Sequence, residues 1–280
     1  MKISVVIPAY NSVAYIQATL DSVLRQTVPP DEILVLDDGS TDNTVAILKS
    51  YKPHITVYQQ ENKGVASARN VLCQRAQGEL IAFLDSDDIW HPNYLEAQRR
   101  LYGEHPNAVA LFTGHVNFYG HDNYQWHSNP FDRSSVVELI EPLSFFKRYN
   151  EATGPFASMS YCCVSKRILK RIGEEPFNAA LNIAEDSYFL YLLALQGPVV
   201  YNPVALAAYR IRKESLSSNR LWTYESLVRA FELLEERFRN AEDAEYSKAF
   251  EIAFASKRRQ YAKSLMGAGK VSEARTQFWR

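Results

Sequence analysis

Cysteine is scarce in this chain of 280 residues, which has three, at Cys73, Cys162 and Cys163. The count is odd and the spacing matches no zinc-binding pattern, so we expect neither a disulfide framework nor a structural zinc site, and we expect a reducing compartment. Long apolar runs are also lacking, since no window approaches the ~18 uninterrupted apolar residues of a membrane span. Met1 leads directly into KISVVI without a basic segment, so no secretion signal is expected. The sequence predicts a cytoplasmic protein, at most peripheral to the inner face of a membrane.

Neither sign of charge is in excess. The chain has 31 Lys and Arg against 32 Asp and Glu, a formal net charge of -1 at pH 7. No global electrostatic attraction to nucleic acid or to an acidic membrane follows, and nucleic acid is not an expected partner. Hydrophobic residues make up 46% of the chain, which at this length can bury a large core. One large domain, or a core with an appendage, is expected.

Short apolar runs alternate with amphipathic segments in the first 112 residues, which is typical of a parallel α/β sheet flanked by helices. The predicted strands are residues 3–7, 32–36, 55–58, 80–84 and 109–112. A helix capped by Asn11 or Ser12 is expected before Pro29 and Pro30. Further helices are predicted over residues 43–51, 65–76 and 92–102.

The pattern changes after residue 115. Residues 115–131 are aromatic and polar, which predicts an inserted hairpin or loop that packs over the sheet in preference to stacking on sugars. Helices are predicted over residues 142–149, 165–172 and 184–196, an extended segment over 156–164 and a short final strand over 198–201. Beyond Arg220 the chain is helical in period and rich in charge. This helical tail has three alternative uses: packing on the sheet domain, dimerisation, or resting on a membrane.

An apolar strand runs directly into three carboxylates in LIAFLDSDD, residues 80–88. Side chains alternate along an extended segment, so Asp85 and Asp87 are expected on one side and Ser86 on the other. Two carboxylates that close repel each other unless a cation or hydrogen-bond donors balance them. A divalent metal that carries a diphosphate would do so. The alternative is a plain acidic turn.

Two other loops follow predicted strands, and a third segment opens a helix. Tyr10 offers an apolar ring face, and Asp38 can accept a hydrogen bond from a ring N–H of a nucleobase. Gly64 precedes a helix that carries Arg69, suited to a phosphate or a base carbonyl. Each segment alone also fits ordinary turn, cap or solvated-charge chemistry.

Taken together, VVIPAYN, VLDDGSTDNT, ENKGVASARN and GELIAFLDSDD resemble the inverting family 2 glycosyltransferases with the GT-A fold. The resemblance covers residues 1–112, with further matches to about Ser217. It implies a GT-A catalytic domain over residues 1–219, with a nucleotide-sugar half (1–112) and an acceptor half (113–219), followed by a helical extension (220–280). It also implies transfer of one sugar from a nucleoside diphosphate sugar, with UDP favoured, to an acceptor hydroxyl with inversion. The acceptor would be a glycan, a lipid-linked saccharide or a protein, in bacterial surface glycan synthesis.

The resemblance also implies roles for single residues. Asp38 would read the base, Asp85 would lie beside the ribose or a metal-bound water, and Asp87 would bind Mn²⁺ or Mg²⁺ directly. Asp88 would support the turn. The implied donor-binding set is Pro8, Ala9, Tyr10, Asn11, Asp38, Gly64, Arg69, Asp85, Ser86, Asp87 and Arg212.

An inverting transfer needs a base for the acceptor hydroxyl. Glu185 and Asp186 resemble the family's ED pair, which makes Asp186 the base and Glu185 the residue that orients the acceptor. Taken alone, acids at a helix start are ordinary dipole partners. Trp90 is expected to line the donor or acceptor pocket, and residues 153–160 match the region that faces the acceptor.

One position departs from the family pattern. Arg212 stands where relatives often carry a histidine that contacts the metal or the diphosphate, and a protonated guanidinium cannot bind a cation. Arg212 or Lys213 is therefore expected to neutralise the diphosphate, with weaker dependence on metal. The alternative is that both are solvated loop charges.

Two other classes remain open. A nucleotidyltransferase also holds metal and phosphates with aspartates, but it usually has a glycine-rich basic loop where this chain has PAYN. A non-catalytic sugar-nucleotide binder or scaffold is the other class, and the intact Asp87 and Asp186 argue against it. A processive synthase is not expected, because the chain lacks a Q-x-x-R-W motif.

Overall fold

The fold comes from a computed structural model that describes residues 1–120, 124–126, 136–151, 157–181, 183–212, 219–240 and 244–279. A single nine-stranded sheet carries helices on its faces. The strands are β1 (Ile3–Ala9), β2 (Glu32–Asp37), β3 (Thr56–Gln59), β4 (Leu80–Phe83), β5 (Ile89–Trp90), β6 (Ala110–Tyr119), β7 (Glu138–Ile140), β8 (Cys162–Ser165) and β9 (Val199–Ile211). The helices are α1 (Ile16–Leu24), α2 (Thr44–Ser50), α3 (Val65–Arg75), α4 (Tyr94–Glu104), α5 (Pro142–Glu151), α6 (Lys166–Ile172), α7 (Glu185–Ala194), α8 (Arg220–Arg239), α9 (Ala244–Gly267) and α10 (Val271–Trp279).

The sheet order is β3-β2-β1-β4-β8-β6-β9-β5, and β7 pairs with β9. Strands β3, β2, β1 and β4 pair in parallel, and β8 pairs antiparallel with both β4 and β6. Every residue of β1 and β4 is buried, as expected for strands covered on both faces. Because β1, β2 and β4 run in parallel, their carboxyl ends meet at one rim of the sheet, and the loops after them lie side by side.

The largest difference from prediction lies in β6 and β9. Residues 115–119 were expected in an insertion, but they continue β6, and the strand expected over 198–201 continues to Ile211. The two strands pair in parallel over ten positions, with register shifts between Thr113 and His115. Within the described part of the predicted insertion, Trp126 packs edge-on against His91 and Tyr124 packs against Phe118, so packing over the sheet is confirmed there.

The predicted cap of the first helix is wrong. The helix begins at Ile16, and its cap position is Tyr15, with no side-chain capping bond. The backbone carbonyl of Ser12 accepts hydrogen bonds from the Tyr15 and Ile16 N–H groups, while its hydroxyl lies 2.7 Å from that of Ser86. Asn11 has a positive φ of 46°, and its side-chain oxygen accepts from the Thr41 N–H. The polar side chains of this turn therefore join neighbouring loops and leave helix capping to the backbone.

The C-terminal helices pack on the sheet domain, which is one of the three uses predicted for them. Phe231 of α8 contacts the Tyr191 ring of α7 at 4.9 Å and the Phe250 and Phe254 rings of α9 at 5.0 and 5.4 Å. These side chains belong to the same buried cluster as one face of the sheet. Helix α7 is apolar on nearly every side beyond its first residues, as expected for a helix enclosed between sheet and tail. No helix in the described ranges combines the length and the apolar character needed to cross a bilayer.

Substitutions on α8 test whether the tail and the sheet domain unfold together. Phe231 is fully buried, so Phe231→Ala is expected to lower the free energy of unfolding by about 3–5 kcal/mol. Trp222→Ala on the same helix removes a larger ring that is 55% exposed, and the expected change is below about 1 kcal/mol. Urea unfolding followed by fluorescence and circular dichroism measures both. Separate transitions for helix and sheet signals would contradict a shared core.

Candidate active site

The acidic segment after β4 forms a turn. The Asp88 N–H donates to the Asp85 carbonyl at 3.2 Å, so the extended alternation expected for Asp85, Ser86 and Asp87 is wrong. The Asp85 N–H donates to the Ser160 hydroxyl at 3.1 Å, and the Ser86 hydroxyl lies 2.7 Å from that of Ser12. The turn is thus fixed from both sides, by the loop after β1 and by the segment before β8.

Arg69 joins the two halves of the site. Its Nη2 donates to Asp85 Oδ1 at 2.6 Å and its Nη1 donates to Glu185 Oε1 at 2.7 Å, although the chain separates Arg69 and Glu185 by 116 residues. The guanidinium also lies 5.6 Å from the centre of the Phe177 ring. Arg69 is 4% exposed, so the structure places its guanidinium between the two carboxylates, and its contact with a nucleoside stays a prediction.

The acidic pair opens helix α7 from a strained residue. Ala184, at the cap position, has φ 68° and ψ 17°, a left-handed conformation that non-glycine residues rarely adopt. Asp186 Oδ1 accepts a hydrogen bond from the Ser187 N–H at 2.6 Å. Burial raises the pKa of Glu185 to about 7, with Asp186 adding to the rise and Arg69 opposing it. Burial also raises the pKa of Asp186, and Arg69 again opposes the rise. Both carboxyl groups therefore keep a proton to a higher pH than an exposed carboxyl does.

The strain at Ala184 predicts that a substitution to glycine does not destabilise the protein. A left-handed conformation costs a non-glycine residue about 1–2 kcal/mol, and glycine pays about 0.5–1 kcal/mol in added chain entropy. Ala184→Gly is therefore expected to leave the free energy of unfolding unchanged or to raise it by up to about 1.5 kcal/mol. Ala194→Gly, in the last turn of the same helix, should cost about 1 kcal/mol or more. Calorimetry of both variants measures the difference, and equal losses would contradict the strain.

Asp87 pairs with an arginine. Arg212 Nε lies 2.8 Å from Asp87 Oδ2, and the guanidinium carbon of Arg212 lies 5.4 Å from the centre of the Tyr15 ring. The structure therefore brings Arg212 to the acidic turn, whereas Lys213 lies outside the described residues. Burial raises the pKa of Asp87, and Arg212 acts against the rise.

Arg210 is a site residue that the sequence did not reveal. Its Nε donates to the Asp87 carbonyl at 2.8 Å, its backbone N–H donates to Asp88 Oδ1 at 2.7 Å, and its Nη1 donates to the Gly120 carbonyl. The guanidinium lies 4.3 Å from the Phe118 ring centre. These contacts fasten the acidic turn to β6 and β9. The sequence signal for Arg210 would have been its position in the alternating pattern of a long β9. The predicted strand ended at residue 201, so that pattern was not recognised.

Asp38 holds the loop before α3. Its Oδ1 accepts from Gln60 Nε2 at 2.7 Å and from the Lys63 N–H at 2.9 Å, and its Oδ2 accepts from the Gly64 N–H at 2.8 Å. Gly64 has a φ of 86°, and the helix starts at the next residue. Tyr10 is 48% exposed at the same rim. Pro8 and Ala9 are buried in β1, so only the end of the predicted loop offers side chains to a ligand.

The predicted role of Trp90 is not supported. Its side chain is 1% exposed, it stacks on Tyr94 at 4.1 Å between ring centres, and its indole N–H donates to the Ser160 carbonyl at 2.6 Å. A tryptophan enclosed in this way supports the segment that holds Asp85 and has no free face for an acceptor. Residues 153–156, half of the predicted acceptor segment, lie outside the described residues.

The carboxyl groups of this cluster outnumber its guanidinium groups. Asp85, Asp87, Asp88, Glu185 and Asp186 face the guanidinium groups of Arg69, Arg210 and Arg212, which leaves two negative charges uncompensated when all are ionised. Burial opposes that state, since it raises the pKa of Asp87, Asp88, Glu185 and Asp186, and a cation would favour it. In the part of the chain that is described, no three His, Cys, Asp or Glu side chains are arranged to bind a metal. Two carboxylates at the rim nevertheless fit Mg²⁺ or Mn²⁺, which proteins commonly hold with one or two carboxylates and substrate phosphates.

The fold agrees with comparisons to known proteins. The family model described as Glycosyl transferase family 2 matches residues 4–173. The chain belongs to this family. The structure superimposes on S. aureus TarS 1-349 in complex with UDP-GlcNAc with a TM-score of 0.66 at 21% identity, covering 99% of this chain and 90% of TarS 1-349. The predicted family and the predicted α/β GT-A fold are confirmed.

Two curated relatives extend the likeness along this family 2 chain. It is 32% identical over 238 residues to the E. coli UDP-Glc:alpha-D-GlcNAc-diphosphoundecaprenol beta-1,3-glucosyltransferase WfgD, covering 83% of this chain and 85% of WfgD. It is 30% identical over 243 residues to glycosyltransferase GlyA of Streptococcus pneumoniae, covering 84% of this chain. The chain spans 34% of the length of GlyA.

Proposed function

We propose that this family 2 protein transfers a single sugar from a nucleoside diphosphate sugar, UDP-linked by preference, to an acceptor hydroxyl with inversion. One observation carries the proposal: Arg69 ties Asp85 of the predicted donor site to Glu185, whose neighbour Asp186 is the predicted base. Two carboxylates, one at the predicted donor site and one beside the predicted base, thus share one buried counter-charge.

The nucleoside is expected at the rim beside Tyr10 and Asp38. The exposed Tyr10 ring offers a face on which a base can stack. A carboxylate has about four acceptor positions, and Asp38 uses three of them to hold the loop before α3. One position remains for a ring N–H, such as that of uracil. The loop contacts also keep the Asp38 carboxylate in place before a ligand arrives.

Asp87 and Asp85 would hold a divalent metal at the diphosphate. When bound, the metal stabilises the negative charge that develops on the leaving diphosphate. The chain's own contribution is the fixed acidic turn, with Arg210 beneath it and Arg212 at its open side. These positive groups lower the cost of bringing a diphosphate to an acidic rim.

Asp186 is proposed to take the proton of the acceptor hydroxyl as that oxygen attacks the anomeric carbon. The bond from that carbon to the diphosphate oxygen breaks on the opposite side, so the configuration inverts. Glu185, held by Arg69, fixes the first turn of α7 and so the position of its neighbour. The WfgD name states a lipid-diphosphate acceptor, which leads us to propose a lipid-linked or glycan acceptor at the cytoplasmic face of a bacterial membrane.

Thermal shift tests the donor site directly. We expect UDP with Mn²⁺ to raise the melting temperature, with smaller effects from GDP, TDP and CDP. A ligand at a hundred times its Kd stabilises the fold by ~2.7 kcal/mol, which is readily measured. Asp87→Asn should remove the metal-dependent part, while Asp42→Asn in the neighbouring loop should keep it. No shift with any nucleotide would overturn the proposal.

The raised pKa values predict the pH dependence of transfer. Asp186 must be ionised to accept a proton, so kcat/KM should fall as pH drops through the pKa of the acidic pair. Since burial raises the pKa of Asp186, we expect the acidic limb above the usual carboxyl range. Glu185→Gln removes a neighbouring negative charge and should move this limb to lower pH. A limb near pH 4 in both proteins would contradict the prediction.

A further inference from the structure

The carboxylate proposed to bind metal already has a cationic partner. Arg212 Nε lies 2.8 Å from Asp87 Oδ2. A guanidinium at that oxygen and a divalent cation at the same carboxylate repel each other, because both are positive and both seek the same lone pairs. Binding of a metal to the donor-free protein therefore has to weaken or displace this ion pair.

The two arginines at the acidic turn differ in freedom. Arg210 is buried: its side chain donates to the carbonyls of Asp87 and Gly120, and its backbone N–H donates to Asp88 Oδ1. The Arg212 side chain is 40% exposed, and the described β-strand ends one residue before it. Solvent and salt screen the exposed Arg212 end of this pair, and a metal at Asp87 would replace the positive charge that the 15% exposed carboxylate loses, so Arg212 can leave when the metal arrives. Arg210 cannot move without breaking the turn.

We propose that Arg212 exchanges partners: it pairs with Asp87 in the donor-free protein and moves to the diphosphate when donor and metal bind together. This inference rests on the proposed function and adds an order of events to it. Arg212 competes with a metal that binds alone and cooperates with a metal that arrives with a diphosphate. The protein would thus discriminate against free metal and in favour of the loaded nucleotide.

The exchange predicts that one substitution strengthens the binding of Mn²⁺ alone and weakens the binding of UDP. Arg212→Gln removes the competing charge, so the Kd for Mn²⁺ alone should fall on the order of fivefold. The same substitution removes a partner of the diphosphate, so the Kd for UDP at saturating Mn²⁺ should rise on the order of tenfold. Arg212→Lys keeps the charge and should lie between the two proteins in both measurements.

The experiment uses Mn²⁺ and UDP as separate probes. Electron paramagnetic resonance counts free Mn²⁺ in titrations without nucleotide, and calorimetry gives the affinity for UDP. Asp87→Asn with and without Arg212→Gln tests whether the gain in Mn²⁺ affinity comes from this carboxylate, since in that background Arg212→Gln should have no effect. Arg239→Gln breaks an exposed ion pair of matching length, 2.8 Å to Glu235, and controls for overall charge.

Each of the following results supports or overturns the proposed exchange of partners by Arg212. Tighter Mn²⁺ binding and weaker UDP binding in Arg212→Gln, both absent in Arg239→Gln, support it. Unchanged or weaker Mn²⁺ binding in Arg212→Gln overturns the exchange even when UDP binds normally, and the proposed function then stands without it. If UDP binds to none of the proteins with or without Mn²⁺, the proposed function fails and the exchange fails with it. A gain in Mn²⁺ affinity that persists in Asp87→Asn also overturns it.

Discussion

Asp186→Asn is expected to lower kcat for sugar transfer on the order of a thousandfold, because the amide cannot accept the proton of the acceptor hydroxyl. The affinity for UDP with Mn²⁺ should stay within about twofold, since Asp186 has no part in the predicted donor contacts. Single-turnover transfer from a UDP-sugar to a synthetic GlcNAc-diphospho-lipid measures the first quantity and calorimetry measures the second. The split between turnover and binding separates a base from a residue that shapes the site.

Glu251→Gln provides the matched control, because it removes an exposed carboxylate from α9, far along the chain from the acidic pair. It should leave kcat unchanged. If Asp186→Asn retains a tenth or more of the wild-type turnover, Asp186 is not the base. If it loses UDP affinity in proportion to kcat, its role lies in donor binding.

Arg69→Met should lower the free energy of unfolding by about 3–5 kcal/mol, the usual cost of removing one partner from a buried ion pair. The substitution leaves Glu185 and Asp85 without the guanidinium that contacts both. Glu185 is the more enclosed of the two and should account for most of the loss, since the Asp85 side chain can gain water. Urea unfolding of the purified variant measures the change.

A second substitution tests the cause of that loss. Arg69→Met combined with Glu185→Gln removes one stranded charge, so the double variant should be more stable than Arg69→Met alone by about 1–3 kcal/mol. Arg99→Met breaks an exposed pair with Asp31 at 3.7 Å and should cost below about 1 kcal/mol. A loss equal to that of Arg99→Met would mean that the buried bridge contributes nothing to folding.

The strands that position the donor site could be predicted because their apolar runs are continuous and end in turn residues. β9 could not, because Asn202 and Pro203 interrupt its apolar pattern. The structure accommodates Pro203 at the register shift between β6 and β9, where proline is tolerated within a sheet. At that point a Cβ on Gly114 would lie 2.4 Å from the Pro203 carbonyl oxygen. The absence of a side chain at Gly114 thus makes room for a proline that looked like a strand end.

The site residues also divide into those that could be placed from the sequence and those that could not. Asp38, Asp85 and Asp87 could be placed at one rim because parallel strands bring their carboxyl ends together. The bridge from Arg69 to Glu185 could not, since the two residues are 116 positions apart and neither local pattern names the other. The predicted role of Trp90 was not supported for a related reason. An aromatic residue beside an acidic turn has the same sequence pattern whether its ring faces a ligand or the core.

The contact between α8 and α7 has a consequence for how this family is divided into parts. The family model ends at residue 173, before the helix that carries Asp186, and that helix is enclosed on one side by Phe231. A chain cut after residue 219 would expose Tyr191 and its apolar neighbours to water. The segment that the family model matches is therefore shorter than the smallest piece expected to hold Asp186, the proposed base, in place.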